Sequence, residues 1–326
     1  MKVAINNGTS ATLPLNHPAG AAAALSAPGF APPLPRPQSP APRSDGSAET
    51  AFGCPRDFLD NRFVYLVLSP RARGLSAGVN LNPDGHCNFN CVYCEVDRSG
   101  APRVAALDVS GMTRELKRTL DMVYGGRLRE LPRYSRLPDE LLQLRHVTLS
   151  GDGEPTLAPN FTSALEAVLD VRTSGGFPFF KLVVVTNATA LDLPEVQSGL
   201  GLLSQADEVW AKLDGGTREY LNKVSGMDVP LEHILENILK LGRRRPVVIQ
   251  SLFPAINGCE PPLAEIVEYA RRLKDLKAAG ARISLVQIYS ATRPTHNPAC
   301  GHLPLKSLFA IAQIVKVTTG LKVEVF

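Results

Sequence analysis

From about residue 60 onward, apolar positions along the chain alternate between two periods. Short runs rich in aliphatic and β-branched residues occur at Val79–Leu81, His146–Leu149, Leu182–Val185, Val209–Leu213, Val247–Phe253 and Ile283–Ile288. Runs of this length and composition predict strands. Between them lie Met112–Tyr124, Phe161–Val171, Leu231–Leu241, Leu263–Ala278 and Leu305–Val317, where apolar residues recur every three or four positions. That spacing gathers them on one face of a helix. A Pro, Ser or Asn stands at each helix start, with Ser110 as the expected cap of the first, and Gly242 marks an expected stop after Leu241. Continuously apolar strands separated by helices predict parallel strands covered on both faces. Six of them fit an α/β architecture, a complete or partial barrel or a doubly wound sheet. Either way, chemistry belongs at the carboxyl ends of the strands. The segments after five of the predicted strands are unusual and carry many polar groups: NPDGHCNFNCVYCE, SGDGEPT, TNAT, KLDGGT and IYSATRP.

The beginning of the chain has another composition. Nine of the 27 prolines fall in the first fifty residues, among many alanines and few charges. Such a stretch buries too little apolar surface to offset the entropy of ordering it. Residues 1–55 are therefore expected to be a disordered Pro/Ala-rich tail, and 56–326 the folded core. The alanine-rich run Ala19–Leu25 is short and lacks a basic flank, so a secretory leader is not expected. No apolar run reaches the roughly 18 residues of a spanning helix, so no membrane segment is expected.

The net charge is +4 over 326 residues, too weak to imply nucleic acid by itself. Its distribution is uneven. Residues 98–136 hold nine basic residues (Arg98, Arg103, Arg114, Lys117, Arg118, Arg127, Arg129, Arg133 and Arg136) against four acidic ones. This stripe fits either a solvated helix face or a salt-sensitive contact with RNA phosphates. Arg243-Arg244-Arg245 lies at a predicted helix end, where cations favour the macrodipole. Six cysteines are too few for a disulfide scaffold, yet three stand at Cys87-x3-Cys91-x2-Cys94. Thiolates are soft ligands for zinc, copper(I) or iron–sulfur clusters. A structural zinc site needs a fourth ligand, for which Asp84, His86 or a distant cysteine is available. An iron–sulfur cube usually takes four cysteines, so three would leave one iron open.

The stretch CNFNCVYC, with Tyr93 just before the third cysteine, resembles the cluster motif of the radical S-adenosylmethionine (radical SAM) superfamily. The resemblance implies an α/β fold, a partial (β/α)6-type barrel with this loop after the first strand. It implies that Cys87, Cys91 and Cys94 ligate a [4Fe-4S] cluster. The open iron of that cluster would chelate SAM (S-adenosyl-L-methionine), and reductive cleavage would yield a 5′-deoxyadenosyl radical that abstracts hydrogen from a substrate. Tyr93 would pack near the adenine or the cluster. Gly151, Gly153 and Glu154 match the superfamily's GGE-like motif for the methionyl amino group, with Asp152 a departure from it. Thr186, Asn187, Lys212 and Asp214 carry groups suited to a zwitterion and a ribose diol; helix capping is the alternative for Asn187 and Asp214. Gln250, Gln287, Tyr289 and Arg293 are further pocket candidates, with core packing the alternative. The resemblance also implies a cytoplasmic enzyme with a one-electron reductant such as flavodoxin or ferredoxin. Which residues are catalytic, and which substrate is used, do not follow.

A narrower resemblance, carried by Gly78-Val79-Asn80, SGDGEPTL, VVTNAT, EVWAKLDGG and VQIYS, is to wyosine-type tRNA-modifying radical SAM proteins. It makes an RNA base one candidate substrate. Those proteins carry an extra set of N-terminal cysteines, and only Cys54 lies upstream here, which argues against the same reaction. Cys259 is expected to be a buried small apolar residue. Cys300 lies in His296-x3-Cys300-x-His302, expected to be a loop; an auxiliary cluster of Cys54, Cys259 and Cys300 is the alternative. Two other readings of the whole chain are a non-catalytic zinc or iron–sulfur module and a scaffold. The polar loops at the strand ends favour the enzyme, because neither alternative requires them.

Overall fold

A computed structural model describes residues 58–96, 106–293, 295 and 297–326. The expected tail, Cys54, Arg98, Arg103 and His296 lie outside the described residues. The core opens with an antiparallel hairpin. Strand β1 (Val64–Ser69) pairs with β2 (Gly74–Val79), in register from Val64 opposite Val79 to Ser69 opposite Gly74. A series of parallel crossovers follows. Helix α1 (Val109–Tyr124) leads to β3 (Leu144–Leu149), α2 (Phe161–Thr173) to β4 (Lys181–Thr186), and α3 (Pro194–Gly201) to β5 (Glu208–Lys212). Helices α4 (Arg218–Ser225) and α5 (Leu231–Arg244) precede β6 (Val247–Leu252) and the short β7 (Ala255–Ile256). Then come α6 (Leu263–Ala278), β8 (Ile283–Tyr289), β9 (Cys300–Gly301), α7 (Leu305–Thr319) and β10 (Val323–Val325). The main sheet has eight strands in the order β1-β2-β3-β4-β5-β6-β8-β10, and from β2 onward every pairing is parallel. The sheet curls into a half-barrel with β1 and β10 at its two edges. The α/β, partial-barrel architecture expected from the sequence is the one observed.

The strands are not covered alike on both faces. In β3 and β5, Val147, Leu149, Val209 and Ala211 pack into the main core with the helices. The alternate residues His146, Thr148, Trp210 and Lys212 line a cavity on the concave face. Both faces are buried as expected, with His146, Thr148 and Trp210 each 5% exposed, but this two-residue alternation makes the concave face the more polar one. A barrel interior left open by a missing closure can carry polar groups where a doubly wound sheet cannot.

Several boundaries also differ. The first parallel strand lies at Gly74–Val79, earlier than the expected Val79–Leu81, although all six of its residues are buried. Its small residues conceal it. A Cβ on Gly78 would lie 2.1 Å from the Tyr65 ring, so glycine there lets Tyr65 of β1 lie across the backbone of β2. Helix α1 is capped at Asp108, not at Ser110, which falls inside the helix. Helix α5 continues past Gly242 to Arg244. A Cβ on Gly242 would stand 2.8 Å from the Ala281 Cβ, so this glycine serves close packing and not termination. The arginines that follow are structural. Arg243 donates to the Ala279 carbonyl at 2.8 Å and 3.0 Å, and Arg245 donates to the carbonyls of Ser204 (2.9 Å) and Asp207 (2.7 Å).

A buried ion pair ties α2 to the loop before β5. Arg172 meets Asp207 at 2.6 Å, with the Asp207 side chain 0% exposed. Asp207 also accepts from the backbone of Leu182 (2.8 Å) and Ser204 (2.8 Å). Burial pushes its carboxyl up, but Arg172 and these donors outweigh burial and hold it below the usual carboxylate range. Stability from a depressed carboxyl is present above the unfolded-state pKa, about 3.9, and lost as pH falls through the lower folded value. Asp207→Asn is therefore expected to cost about 3–5 kcal/mol at neutral pH. The gap from the unsubstituted protein should narrow below about pH 4; thermal melts across that range check it.

Candidate functional site

The strand ends that face the cysteines are joined by buried polar side chains. Asn80, one residue past β2, is 4% exposed. Its Nδ2 donates to Asp152 Oδ2 at 2.6 Å, and its Oδ1 accepts from the amides of Asn82 and Asp152, each at 3.1 Å. This explains the departure at Asp152: the carboxylate binds Asn80 and links the loops after β2 and β3. A Cβ on Gly153 would lie 1.9 Å from the His86 carbonyl oxygen, and that carbonyl accepts the Glu154 amide at 3.0 Å. Only glycine permits so close an approach. His86 thus contributes its backbone, while its side chain is exposed.

Glu154 is 3% exposed and is a hub. Its Oε1 accepts from the Thr156 amide (3.1 Å), the Thr156 hydroxyl (2.6 Å) and the Thr186 hydroxyl (2.6 Å). Its Oε2 accepts the Asn187 amide at 2.7 Å. Burial raises its pKa, and these donors partly counter the rise. The Asn187 side chain donates to Asn88 Oδ1 at 2.7 Å and accepts from the Thr189 amide and hydroxyl at 3.1 and 2.7 Å. It therefore makes a local turn and also ties the loop after β4 to the cysteine loop.

The cysteine loop is anchored on its other side by α4. Asn90 and Val92 donate their amides to the carbonyls of Ser225 (2.9 Å) and Val224 (2.8 Å), and Phe89 is buried in the core. Cys87, Cys91 and Cys94 are partly buried and none forms a disulfide. All three line one cavity of about 180 Å³ together with Gly151, Gly153, Glu154, Asn187 and Lys212. Among the described residues, no three His, Cys, Asp or Glu side chains converge on a single ion-sized point. The thiols share a cavity without sharing a point. Three soft donors on one loop, facing a wall kept open by glycines, fit a polynuclear iron–sulfur centre, which takes each thiolate on a different metal. Burial, then the Asp214 carboxylate, pushes the Cys91 thiol up to about 12, so ligation there must displace a proton.

Beside this cavity, Lys212 and Asp214 pair at 3.3 Å. Asp214 accepts the Leu252 amide at 2.8 Å and the Tyr93 hydroxyl, and Lys212 donates to the Tyr289 hydroxyl at 3.2 Å. Its ammonium also lies 4.9 Å from the Tyr93 ring centroid. Burial alone would lower the Lys212 pKa, but Asp214 and its other neighbours raise it, so it stays charged. Asp214 is not a helix cap; Thr217 caps α4 through the Tyr220 amide at 3.2 Å. Asp214→Ala leaves the Lys212 ammonium, the Tyr93 hydroxyl and the Leu252 amide without their acceptor. A loss of about 3–5 kcal/mol is expected, as for a broken buried pair. Lys212→Met in the same background should recover part of it, checked by urea unfolding as a double-mutant cycle.

The concave face opens into a second cavity of about 300 Å³, which shares Tyr93, Cys94, Gly151, Val185 and Lys212 with the first. Gln250 and Gln287 are both buried and bond to each other at 3.2 Å. Of that pair Gln250 lines the cavity, as do Tyr289 and Arg293. Arg293 pairs with Glu95 at 2.7 Å. His146 is held neutral, with burial lowering its pKa to about 4. Sequence reasoning missed Asn80, Thr156 and His146 as site residues. A larger cavity of about 620 Å³ lies at the amino ends of the strands, beside Asp207, Pro246 and Ser284, away from the cysteines.

Cys259 is exposed, not buried as expected, and Cys300 lies on β9, which pairs with β7. Within the basic stripe, Arg118 donates to the Leu59 carbonyl and to Asn61 (2.5 Å), and Arg129 binds Asp139 and the Ser135 and Leu137 carbonyls. Among the described residues, no helix is long and apolar enough to cross a membrane.

The sequence model of the Radical SAM superfamily matches residues 81–260, more than half of the chain. A UPF0026 protein of Synechocystis is 32% identical over 178 residues, 54% of this chain and 57% of that protein. The chain thus spans little more than half the length of that relative. Among solved structures, a radical SAM methyltransferase from Sphaerobacter thermophilus aligns with a TM-score of 0.57 at 16% identity, over 81% of this chain and 68% of the other. TYW1 with a lysine–pyruvate adduct bound aligns with a TM-score of 0.52 at 15% identity, over 80% and 85%. At such identities the structural likenesses speak to the fold.

Proposed function

The chain belongs to the radical SAM superfamily, and on that basis we propose that it is an enzyme in which Cys87, Cys91 and Cys94 hold a [4Fe-4S] cluster and the adjoining cavity receives SAM. When bound and reduced, by flavodoxin or ferredoxin in this reading, such a cluster supplies the electron that cleaves SAM to a 5′-deoxyadenosyl radical, which abstracts hydrogen from substrate. The observation that carries the reading is the placement of the three thiols. They line one cavity with the glycine-walled loop after β3, and that cavity shares its wall with the concave interior.

The protein's own groups divide the work. Asn80, Asp152 and Glu154 lock the three strand-end loops together, so that Gly151 and Gly153 present backbone to the SAM cavity. Glu154 and Asn187 act there through the loops they join. Lys212 gives this wall a fixed cation suited to a carboxylate, while Asp214, buried behind it, holds Lys212 in place and orients Tyr93. The concave cavity on the substrate side measures about 300 Å³. Its volume suits a small molecule; an RNA base would enter only if flipped out of its stack. Two arginines of the basic stripe are bound to the protein's own groups, so a small-molecule substrate is favoured.

The test is anaerobic reconstitution with iron and sulfide, chemical reduction and addition of SAM. Formation of 5′-deoxyadenosine is the expected result. Bound zinc without cleavage, or a protein that holds no cluster, overturns the proposal in favour of a non-catalytic module.

A further inference from the structure

Three cations line the concave cavity: Arg71, Lys212 and Arg293. Two have carboxylate partners, Lys212 with Asp214 and Arg293 with Glu95. Arg71 has none among the described residues. It sits in the turn between β1 and β2, and its guanidinium lies over the Tyr289 ring, 4.2 Å from the centroid. Its Nε is buried without a hydrogen-bond partner. A buried donor left unpaired is costly, and more so when charged. The tyrosine face holds the guanidinium plane and leaves its edge of donors unused. His146, the other titratable group facing it from β3, is neutral and offers no counter-charge.

We infer that Arg71 anchors an anionic group, a carboxylate or a phosphate, of the substrate within the half-barrel. A planar fork of N–H donors is suited to either oxyanion. The arrangement also connects the anchor to the reaction centre. Arg71 stacks on Tyr289, whose hydroxyl accepts from Lys212; Lys212 pairs with Asp214, which accepts from Tyr93 in the cysteine loop. An anion bound at Arg71 would thus be held against the same wall that borders the SAM cavity. The inference rests on the cavity being the substrate chamber of the proposed enzyme.

The chain's single tryptophan, Trp210, lines this cavity and reports on it directly. Cluster-loaded, full-length protein is titrated with inorganic phosphate and, separately, with acetate, at ionic strength matched with chloride, and Trp210 fluorescence is followed. A saturable change is expected with at least one of the two anions, and the tighter one identifies the substrate's group. Arg71→Gln should raise that midpoint at least about tenfold, the loss of one charge-assisted contact. Arg71→Lys, which keeps the charge and loses the fork, should fall between, and Arg271→Gln, on α6 and outside the cavity lining, should leave the midpoint within about twofold. No saturable response in the unsubstituted protein, or the same midpoint in Arg71→Gln, overturns the inference. SAM cleavage by the same unsubstituted preparation is measured alongside: cleavage without an anion response defeats the anchor alone, whereas absence of cleavage defeats the function beneath it.

Discussion

Cys91→Ala is expected to abolish both the visible iron–sulfur absorbance and the formation of 5′-deoxyadenosine. Cys91 is the middle thiol of the loop and lines the shared cavity. Without it two thiols remain on the loop, too few for a cube that already has one open iron. The loop itself should survive. Its backbone is held by Asn90 and Val92 on α4 and by the buried Phe89, and none of these contacts uses the Cys91 side chain. The loss should therefore appear in iron content and cleavage while the thermal midpoint of the cluster-free protein barely moves. Cys259→Ala is the matched control. That cysteine is exposed, beside the small β7–β9 sheet, and its removal should change neither readout. Iron retained at full stoichiometry in Cys91→Ala, with cleavage, would refute the ligand assignment.

How much of this could be seen in the chain depends on distance along it. The cysteine motif is contiguous, so its spacing and aromatic residue are visible at once, and strands such as Val247–Leu252 advertise themselves by aliphatic content. Gly74–Val79 does not. It is fully buried, yet Gly78 is small because the Tyr65 ring fills the space above it, a relation set by pairing with another strand. The polar groups behave likewise. Glu154 could be placed near the site from its loop, but its function as a hub depends on Thr186 and Asn187, thirty-odd residues away. Capping and binding could not be separated for Asn187 and Asp214 because each combines a local partner with tertiary ones, Asn88 in one case and Leu252 and Tyr93 in the other. Arg71 left no signal at all. An arginine in a hairpin turn is ordinary until the turn is seen to reach Tyr289, more than two hundred residues on.

Glu154 decides whether the strand-end loops or a direct ligand contact shape the cavity proposed for SAM. The resemblance to GGE-like motifs assigns its neighbourhood to the methionyl amino group, yet its carboxylate already accepts from four donors of its own chain. Glu154→Ala leaves those donors buried and unpaired at roughly 1–3 kcal/mol each, so a loss of at least about 4 kcal/mol is expected. The melting temperature should fall by roughly 10 °C, and SAM binding should be lost with the geometry of the loops. Glu154→Gln separates the two roles. Its carbonyl can still accept from Thr156 and Thr186, and it removes a charge whose burial raises the carboxyl's pKa; only the Asn187 amide then faces a donor. If Glu154 acts by position, Gln restores more than half of the lost stability and returns SAM affinity, read by equilibrium dialysis on cluster-loaded protein, to within about threefold. A Gln variant that melts normally but binds SAM more than about tenfold weaker would instead place the Glu154 charge in direct contact with the SAM ammonium.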